Sequence, residues 1–309
     1  MQNSLTKFIL GGAQLGIPNY GILNKDTYDA LYIKQLIQVA YEEGISRIDI
    51  AMDYGEAQKI IGNLLKENKY NNLKIINKFT SKNLPKNPDD IESYFHKCIL
   101  QSLNLLEKNL DCLLLHRAKH LIEYDGKIWA LLKNLKDNKI VQDIGISVQT
   151  VEELRTALAI EDISVIQMPF NILDRRWDDL IKEISEQKKN RNLQIHVRSV
   201  FLQGLLISED LKLWESANSV NSLEVIDWLK AKTKELKRES IKDMCLNFVK
   251  SQQWIDGIII GVNNIEQLNE NIMLFKNKSF SNLEIENIEL SSPKVLEKTL
   301  NPFYWKKND

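Results

Sequence analysis

An acid, a tyrosine, a lysine and a histidine stand at the ends of three successive apolar segments of the chain. Asp49 and Tyr54 follow the first segment, Lys78 lies at the end of the second, and His116 ends the third. A charged group at the end of a buried strand is costly unless a group of opposite charge meets it. We therefore expect Asp49 and Lys78 to pair, with both groups ionised.

These side chains are suited to donating a proton. An ammonium beside a phenol favours the phenolate, so Lys78 is expected to lower the pKa of Tyr54 by about 1–3 units from the usual value near ~10. A tyrosine tuned in this way donates a proton near neutral pH as a general acid. His116 is expected to orient or polarise a substrate carbonyl. The set has no nucleophile–base pair suited to hydrolysis and too few carboxylates for a magnesium site.

Each of the four residues also has a purely structural interpretation. An Asp–Lys pair on strands is often structural, a single buried histidine is more often satisfied by ordinary hydrogen bonds, and a tyrosine such as Tyr54 is often half-buried packing. Their occurrence together, in this order and on consecutive strands, favours an active site.

Eight short apolar segments alternate with helical patterns. Strands rich in Ile, Val and Leu are typical of a parallel sheet that is buried on both faces. The count and the alternation predict an α/β fold of the (β/α)8 TIM-barrel type, whose active site lies at the C-terminal ends of the strands. The predicted strands are residues 8–12, 47–50, 73–79, 111–116, 141–147, 164–169, 193–200 and 256–261.

The alternative is an open doubly wound sheet. Residues 11–16, Gly-Gly-Ala-Gln-Leu-Gly, lack the G-x-G-x-x-G spacing and are expected to precede no immediate helix, which argues against it. Pro18 and Gly21 predict an irregular loop, and Thr150 with Glu153 predicts a capping box. The other predicted helices are residues 28–43, 56–66, 87–109, 127–137, 177–189, 222–236, 241–251 and 265–275.

Composition limits the function classes. With 41 basic and 42 acidic residues, the net charge of −1 gives no electrostatic case for binding nucleic acid or an anionic membrane. Three cysteines without short spacing predict neither disulfides nor a zinc site, and we expect no metal. No segment approaches transmembrane length. We expect one domain over residues 1–309, with residues 276–309 as a tail packing on the barrel, in a cytoplasmic setting. The sequence indicates no oligomeric state.

The ordered motifs resemble the aldo-keto reductase superfamily. They are Asp-x-Ala-x-x-Tyr-Gly at 49–55, a lysine-ending strand at 75–78, Leu-Leu-His at 114–116, Gly-x-Ser at 145–147, a glutamine strand at 165–171 and a cofactor segment at 261–271. The resemblance covers residues 8 to about 275. It implies a (β/α)8 barrel that binds NADPH, or less often NADH, and transfers hydride to a small-molecule aldehyde or ketone. Tyr54 would donate the proton, Asp49 and Lys78 would tune it, and His116 would orient the carbonyl.

The resemblance also implies a set of cofactor-binding residues. Ser147 and Gln167 would hold the carboxamide, and Glu270 and Asn271 would reach the adenine. The segment from Arg198 to Leu206 looks like the pyrophosphate-side loop. Further candidates for cofactor binding are Gly12, Arg198, Ser199, Phe201, Gly204, Gly261, Asn263 and Gln267.

The chain departs from the family pattern in three places. Val148 stands where an asparagine usually contacts the carboxamide, and Arg198 stands where an aromatic often stacks on the nicotinamide. An arginine plane is able to stack too, but it adds charge. Gly261 and Gln267 occupy positions where many members place cations on the ribose 2′-phosphate. The choice between NADPH and NADH stays open, since some NADPH-binding relatives share this Gly/Gln pattern.

Arg198, Phe201, Gly204 and the Pro-aromatic-Trp tail resemble bacterial members tied to sugar or polysaccharide metabolism. A phosphorylated or acidic sugar could use Arg198, Arg175 or Arg176, although the last two also fit surface positions on a loop. Two other functions stay open. A nucleotide-binding sensor would bind cofactor with little turnover. A Schiff-base aldolase would need Lys78 as a neutral amine, whereas Asp49 beside it favours the ammonium.

Overall fold

Eight parallel strands pair in chain order into a closed barrel, in which the last strand returns to the first. This computed structural model describes residues 5–17, 29–80 and 82–306. The predicted (β/α)8 barrel is confirmed, and the open doubly wound sheet is excluded. The strands are β1 Phe8–Gly11, β2 Arg47–Asp49, β3 Lys74–Phe79, β4 Leu110–Leu115, β5 Val141–Ser147, β6 Val165–Pro169, β7 Gln194–Arg198 and β8 Gly257–Gly261.

The strand bounds differ from prediction by one or two residues, at both ends of the strands. His116 lies just after β4 and Ile50 just after β2. The predicted seventh strand ran to Val200, but β7 stops at Arg198 because Ser199 has a φ of +65°, which breaks extended pairing. At these C-terminal ends the chain leaves the strand and enters a loop close to the polar residues of the site.

The helices cover the outside of the barrel. They are α1 Ala13–Gly16, α2 Ala30–Glu42, α3 Ala57–Leu65, α4 Ile91–Leu106, α5 Lys127–Asp137, α6 Val151–Leu158, α7 Asp178–Asn190, α8 Leu211–Ser216, α9 Ser222–Glu235, α10 Ile241–Ser251, α11 Ile265–Lys276, α12 Asn282–Ser291 and α13 Glu297–Leu300. The capping box of Thr150 with Glu153 opens α6 as predicted.

Several helix predictions need correction. A one-turn helix, α1, does follow β1 immediately, so the expectation that no helix would do so was wrong. The predicted helix to residue 109 ends at Leu106 because Glu107 adopts a left-handed φ of +51°. Helices α8, α12 and α13 were not predicted. The predicted loop at Pro18 and Gly21 and the helix start at residue 28 lie outside the described residues.

Apolar side chains fill the structure in two layers. Ile9, Ile76, Cys112, Leu114 and Val165 form a small cluster of their own on four of the strands. A much larger cluster joins the strands to the surrounding helices. Because side chains alternate between the faces of a strand, the small cluster is the filling of the barrel and the large one its outer core.

The C-terminal segment lies against the barrel's helices. The backbone N–H of Lys306 donates to the carbonyl of Ser216 at 2.9 Å, and Arg175 forms an ion pair with Glu289 at 3.0 Å. Phe303, in contrast, is 80% exposed, so only part of the aromatic run is packed. Across the three described ranges, no helix is long and apolar enough to cross a membrane.

A buried polar cluster behind β3 joins the barrel to two helices. The Asn77 amide donates to Gln58 on α3 at 3.1 Å and to Ser102 on α4 at 2.9 Å, and the Ser102 hydroxyl donates to Gln58 at 2.6 Å. The backbone N–H of Lys78 donates to the Asn77 side chain at 2.9 Å. Each donor in this cluster is matched, as buried polar groups require.

We predict that Asn77→Ala lowers the free energy of unfolding by about 2–3 kcal/mol, because it leaves buried polar groups of the cluster without their partner. Urea unfolding followed by circular dichroism measures this. Asn63→Ala, on the exposed face of α3, is the matched control and should change stability by less than about 0.5 kcal/mol. Equal stability of the two variants would contradict the structural role of the cluster.

Candidate active site

The centre of the site is a buried ion pair between adjacent strands. The Lys78 ammonium lies 2.5 Å from one carboxylate oxygen of Asp49, and Gln167 donates its amide to the other oxygen at 2.7 Å. Lys78 also donates to the carbonyl of Ile50 at 2.9 Å. Charge and hydrogen bonds are therefore matched on both members, as burial demands. The expected pairing of Asp49 with Lys78 is found.

Tyr54 lies beside this pair because two backbones pass in close contact. A side chain on Gly16 would meet the carbonyl of Tyr54, and Gly55 has a φ of +47° against the carbonyl of Gly16. Only glycine allows this approach at both positions. The Tyr54 ring centre then lies 5.3 Å from the Lys78 nitrogen, and the residue lines an open cavity.

The electrostatics of Tyr54 differ from expectation. Burial is the main influence and raises the pKa of the phenol above its ordinary value, and the Asp49 carboxylate raises it further. The guanidinium of Arg198 acts in the opposite direction without reversing the result. The prediction that Lys78 would lower this pKa was wrong because it omitted burial and the carboxylate that pairs with the lysine. The phenol stays protonated, which is the form a proton donor needs.

His116 faces Tyr54 from the next strand end. The two ring centres are 6.0 Å apart at an angle of 78°. Burial lowers the pKa of His116, the side-chain interaction with Asp53 opposes this, and the charge of Lys78 reinforces it. The imidazole is therefore neutral at pH 7, and it presents a polar edge beside the phenol.

Asp53 fixes the environment of this histidine and was not predicted as a site residue. One carboxylate oxygen lies 3.7 Å from Nδ1 of His116, and the other accepts a 2.5 Å hydrogen bond from Thr80. Its position directly before Tyr54, in the loop after β2, was the available sequence signal. At 3.7 Å this contact is electrostatic and is too long for a hydrogen bond.

A cavity of about 370 Å³ opens above the barrel and runs from Tyr54 to α11. Most of the predicted cofactor residues line it together with the predicted acid and tyrosine. Those residues are Asp49, Tyr54, Gln167, Arg198, Ser199, Phe201, Gly204, Gly261, Asn263, Gln267, Glu270 and Asn271.

Four predicted residues do not line the cavity. Lys78 is buried beneath it, and His116 lies beside Tyr54. Gly12 instead donates its N–H to the carbonyl of Asp49 at 2.7 Å and so anchors the end of β2. Ser147 is nearly buried at the end of β5.

Arg198 is held across the mouth of the barrel. Its guanidinium donates to the carbonyl of Val148 at 3.2 Å and to the side chain of Gln149 at 2.7 Å. Val148, the residue that departs from the family pattern, therefore contributes its backbone while its side chain is buried. Arg175 and Arg176 do not line the cavity and form ion pairs with neighbouring carboxylates.

Sequence reasoning also missed residues at the far end of the cavity. Lys242, in the first turn of α10, lines it and forms an ion pair with Glu270. Gln14 on α1 lines it as well, and its side chain fills the space beside Gly261. A lysine at the positive end of a helix is an unusual placement, and this was the only sequence signal for Lys242.

Within the described part of the chain, no group of three or more His, Cys, Asp or Glu side chains is placed to hold a metal ion. The site is instead an acid–base set in a cavity whose lining also includes the charged residues Arg198, Lys242 and Glu270. A carbonyl group placed beside Tyr54 would meet one protonated phenol and one neutral imidazole. This arrangement suits proton transfer to an oxygen.

Comparisons with known proteins agree with this geometry. The sequence profile of the Aldo/keto reductase family matches residues 7–292. An uncharacterised oxidoreductase of Bacillus subtilis (strain 168), YqkF, is 23% identical over 296 residues, covering 91% of this chain and 94% of that protein.

Solved structures share the fold. The holo form of aldo-keto reductase AKR11C1 from Bacillus halodurans superimposes with a TM-score of 0.70 at 18% identity, covering 93% of this chain and 92% of the other. The glycerol dehydrogenase AKR11B4 from Gluconobacter oxydans gives a TM-score of 0.67 at 19% identity, covering 92% and 90%. At these identities the likeness shows the fold alone.

We predict that Lys78→Met destabilises the protein by about 3–5 kcal/mol, because it leaves the Asp49 carboxylate buried without a counter-charge. Urea unfolding measures the loss. The double variant Asp49→Asn/Lys78→Met removes both charges and should recover most of the stability. A double variant no more stable than the single one would show that the charge of Asp49 is not the cause.

Proposed function

The chain belongs to the Aldo/keto reductase family, and on this basis we propose that it reduces an aldehyde or ketone to an alcohol with NADPH, NADH being possible. Tyr54 acts as the general acid in this proposal. Family membership supports an oxidoreductase that acts on carbonyl groups with a nicotinamide cofactor. The role of Tyr54 and the class of substrate are argued from the site of this chain.

The observation that carries the proposal is the position of the Tyr54 phenol. It lies in the cavity wall, protonated, beside a fully matched Asp49–Lys78 pair. The pair fixes the floor of the site, and the Gly16–Gly55 contact fixes the backbone that carries the phenol. A donor held in this way does not need to reorganise when a carbonyl oxygen arrives, which is the condition for efficient catalysis.

The span of the cavity lining, from Tyr54 to α11, supports the binding of a dinucleotide. Its near end has amide and hydroxyl groups from Gln167 and Ser199, and its far end has Glu270 and Asn271 on α11. Ser147 and Gln167 would hold the carboxamide, while the loop after β7 would cover the phosphates. When bound, the reduced nicotinamide supplies the hydride. The protein's part is to align the carbonyl and to exclude water around it.

The proton step uses two side chains. Tyr54 gives its phenolic proton to the carbonyl oxygen as negative charge develops there, and the nearby ammonium of Lys78 stabilises the phenolate that remains. His116, neutral and fixed next to Asp53, orients the carbonyl toward the phenol. Asp49 keeps Lys78 in place and charged throughout.

The mouth of the barrel supports a proposal for the substrate class. Arg198 stands there with its guanidinium bonded to the loop after β5. Its charge favours a substrate with an acidic or phosphorylated group, and the polar lining favours hydroxyl groups, so a sugar or sugar derivative is the proposed carbonyl compound. The name of one structural relative, a glycerol dehydrogenase, gives a polyol as the substrate of that protein.

We predict that Tyr54→Phe lowers kcat for carbonyl reduction by about 10²–10⁴-fold, the usual worth of a general acid, with nucleotide affinity retained. Fluorescence titration with NADPH and NADH measures binding, and absorbance at the nicotinamide band measures turnover on a panel of aldehydes and sugars. Tyr304→Phe makes the same change on an exposed residue of the C-terminal segment and should leave both unchanged.

Two results would go against this assignment. Wild-type protein that binds nucleotide but reduces none of the carbonyl compounds would favour the sensor function instead. Wild-type protein that binds neither nucleotide would remove the reductase proposal, and borohydride trapping of Lys78 with a carbonyl compound would then test the aldolase alternative.

The pH dependence of reduction provides a separate prediction. The pKa of Tyr54 is raised, so the phenol keeps its proton until the pH exceeds its ordinary range near ~10. The pKa of His116 is lowered, so its protonation is confined to pH values below about 6.5. We expect kcat at saturating nucleotide to be flat from about pH 7 to pH 9. A fall in kcat with a midpoint inside that window would show that Tyr54 is tuned downward after all.

A further inference from the structure

The far end of the cavity contains a lysine for which the proposed chemistry has no use. Among the described residues that line the cavity, Arg198 and Lys242 are the cations. Arg198 stands at the barrel mouth beside the loop after β5. Lys242 belongs to α10 and lies with Gln267, Glu270 and Asn271 of α11 in the opposite wall.

The position of Lys242 is not explained by helix stability. It is the second residue of α10, whose first turn carries the positive end of the helix dipole, where an acid stabilises and a cation does not. Its side chain is mostly buried, 14% exposed, and the ammonium lies 6.0 Å from the ring centre of Phe201 in the loop after β7. A cation kept at this place points to an anionic ligand.

Uncharged residues occupy the two positions that the family resemblance assigns to the ribose 2′-phosphate. Gly261 has no side chain, and the side chain of Gln14 fills the space that one would take. Gln267 is turned back on its own loop, where its side-chain oxygen accepts from the N–H of Asn263 at 3.0 Å. Neither residue supplies charge for the ribose 2′-phosphate.

Lys242 is held by a partner that is easily displaced. Its ion pair with Glu270 has the carboxylate 53% exposed, and exposed ion pairs contribute little stability. A phosphate monoester carries more charge than a carboxylate and more acceptor oxygens. It therefore competes well with Glu270 for the ammonium, and the released Glu270 becomes available for the adenine.

We propose that Lys242 is the residue by which this site distinguishes NADPH from NADH, its ammonium passing from Glu270 to the 2′-phosphate. The inference rests on the proposed function, since it requires that the cavity bind a nicotinamide nucleotide. It assigns to α10 a task that the residue types at positions 261 and 267 leave unfilled.

The test is calorimetric titration of wild type and Lys242→Met with NADPH and NADH, and with adenosine 2′,5′-bisphosphate and adenosine 5′-monophosphate as probes without nicotinamide. We expect wild type to prefer the 2′-phosphorylated member of each pair. Lys242→Met should reduce that preference by about tenfold or more, the worth of one charge-assisted hydrogen bond, and leave NADH affinity unchanged. Lys242→Arg should keep the preference.

Two further variants sharpen the result. Glu270→Gln removes the competitor, so the ratio of NADPH to NADH affinity should rise, and any contact to adenine cancels in that ratio. Lys234→Met makes the same charge change on the exposed side of α9, outside the cavity, and should alter nothing. The wild-type preference should also weaken with added salt, since the contact between an ammonium and a phosphate is electrostatic.

The outcomes separate the two proposals. If wild type binds both nucleotides and Lys242→Met leaves their ratio unchanged, or weakens both equally, Lys242 does not read the 2′-phosphate although the proposed function stands. A ratio of NADPH to NADH affinity that falls in Glu270→Gln would also contradict the proposal that the Lys242 ammonium passes from Glu270 to the 2′-phosphate. If wild type binds neither nucleotide, the proposed function itself has failed.

Discussion

The buried ion pair between Asp49 and Lys78 is the constraint on which the rest of the site depends. Two opposite charges at the end of adjacent strands are tolerable only with close contact and a full set of hydrogen bonds, which Gln167 and the carbonyl of Ile50 complete. These contacts join β2, β3 and β6 at one level of the barrel. The phenol of Tyr54 then lies next to a fixed electrostatic floor.

The barrel explains why a short list of strand ends was informative from sequence alone. In a closed parallel sheet all C-terminal ends meet on one face, so an acid, a lysine and a histidine ending consecutive strands must be neighbours. The bounds of β5, α5 and α10 coincide with their predictions, and α10 also has a side-chain cap from Ser240 where its apolar periodicity begins. The one-turn helices and α12 were missed, since segments this short or this weakly amphipathic leave little periodic signal.

Properties that depend on burial and on contacts between distant segments were harder to predict from the sequence. The pKa of Tyr54 was assigned the wrong direction because burial cannot be read from residue types, and burial together with the Asp49 carboxylate outweighs the cations that lower this pKa. The Asn77 cluster and the Asp53–His116 contact each join residues from different elements. The unusual position of Lys242 in the first turn of α10 does not tell which side chains of α11 it meets. Pairing across elements is set by packing, which no local pattern specifies.

The two lysine–carboxylate ion pairs of the site differ in burial, and this difference decides which pair is permanent and which one a ligand can displace. Side chains of the Asp49–Lys78 pair are 6% and 2% exposed, whereas those of Glu270 and Lys242 are 53% and 14% exposed. Breaking the Asp49–Lys78 pair would leave an uncompensated charge in a low-dielectric environment, so this ion pair must persist through any reaction cycle. Water or a ligand phosphate is able to replace Glu270 in the second, so that pair opens at little cost. A lysine paired with a carboxylate is therefore a permanent structural contact at the reactive end of the cavity and an exchangeable contact at the other end.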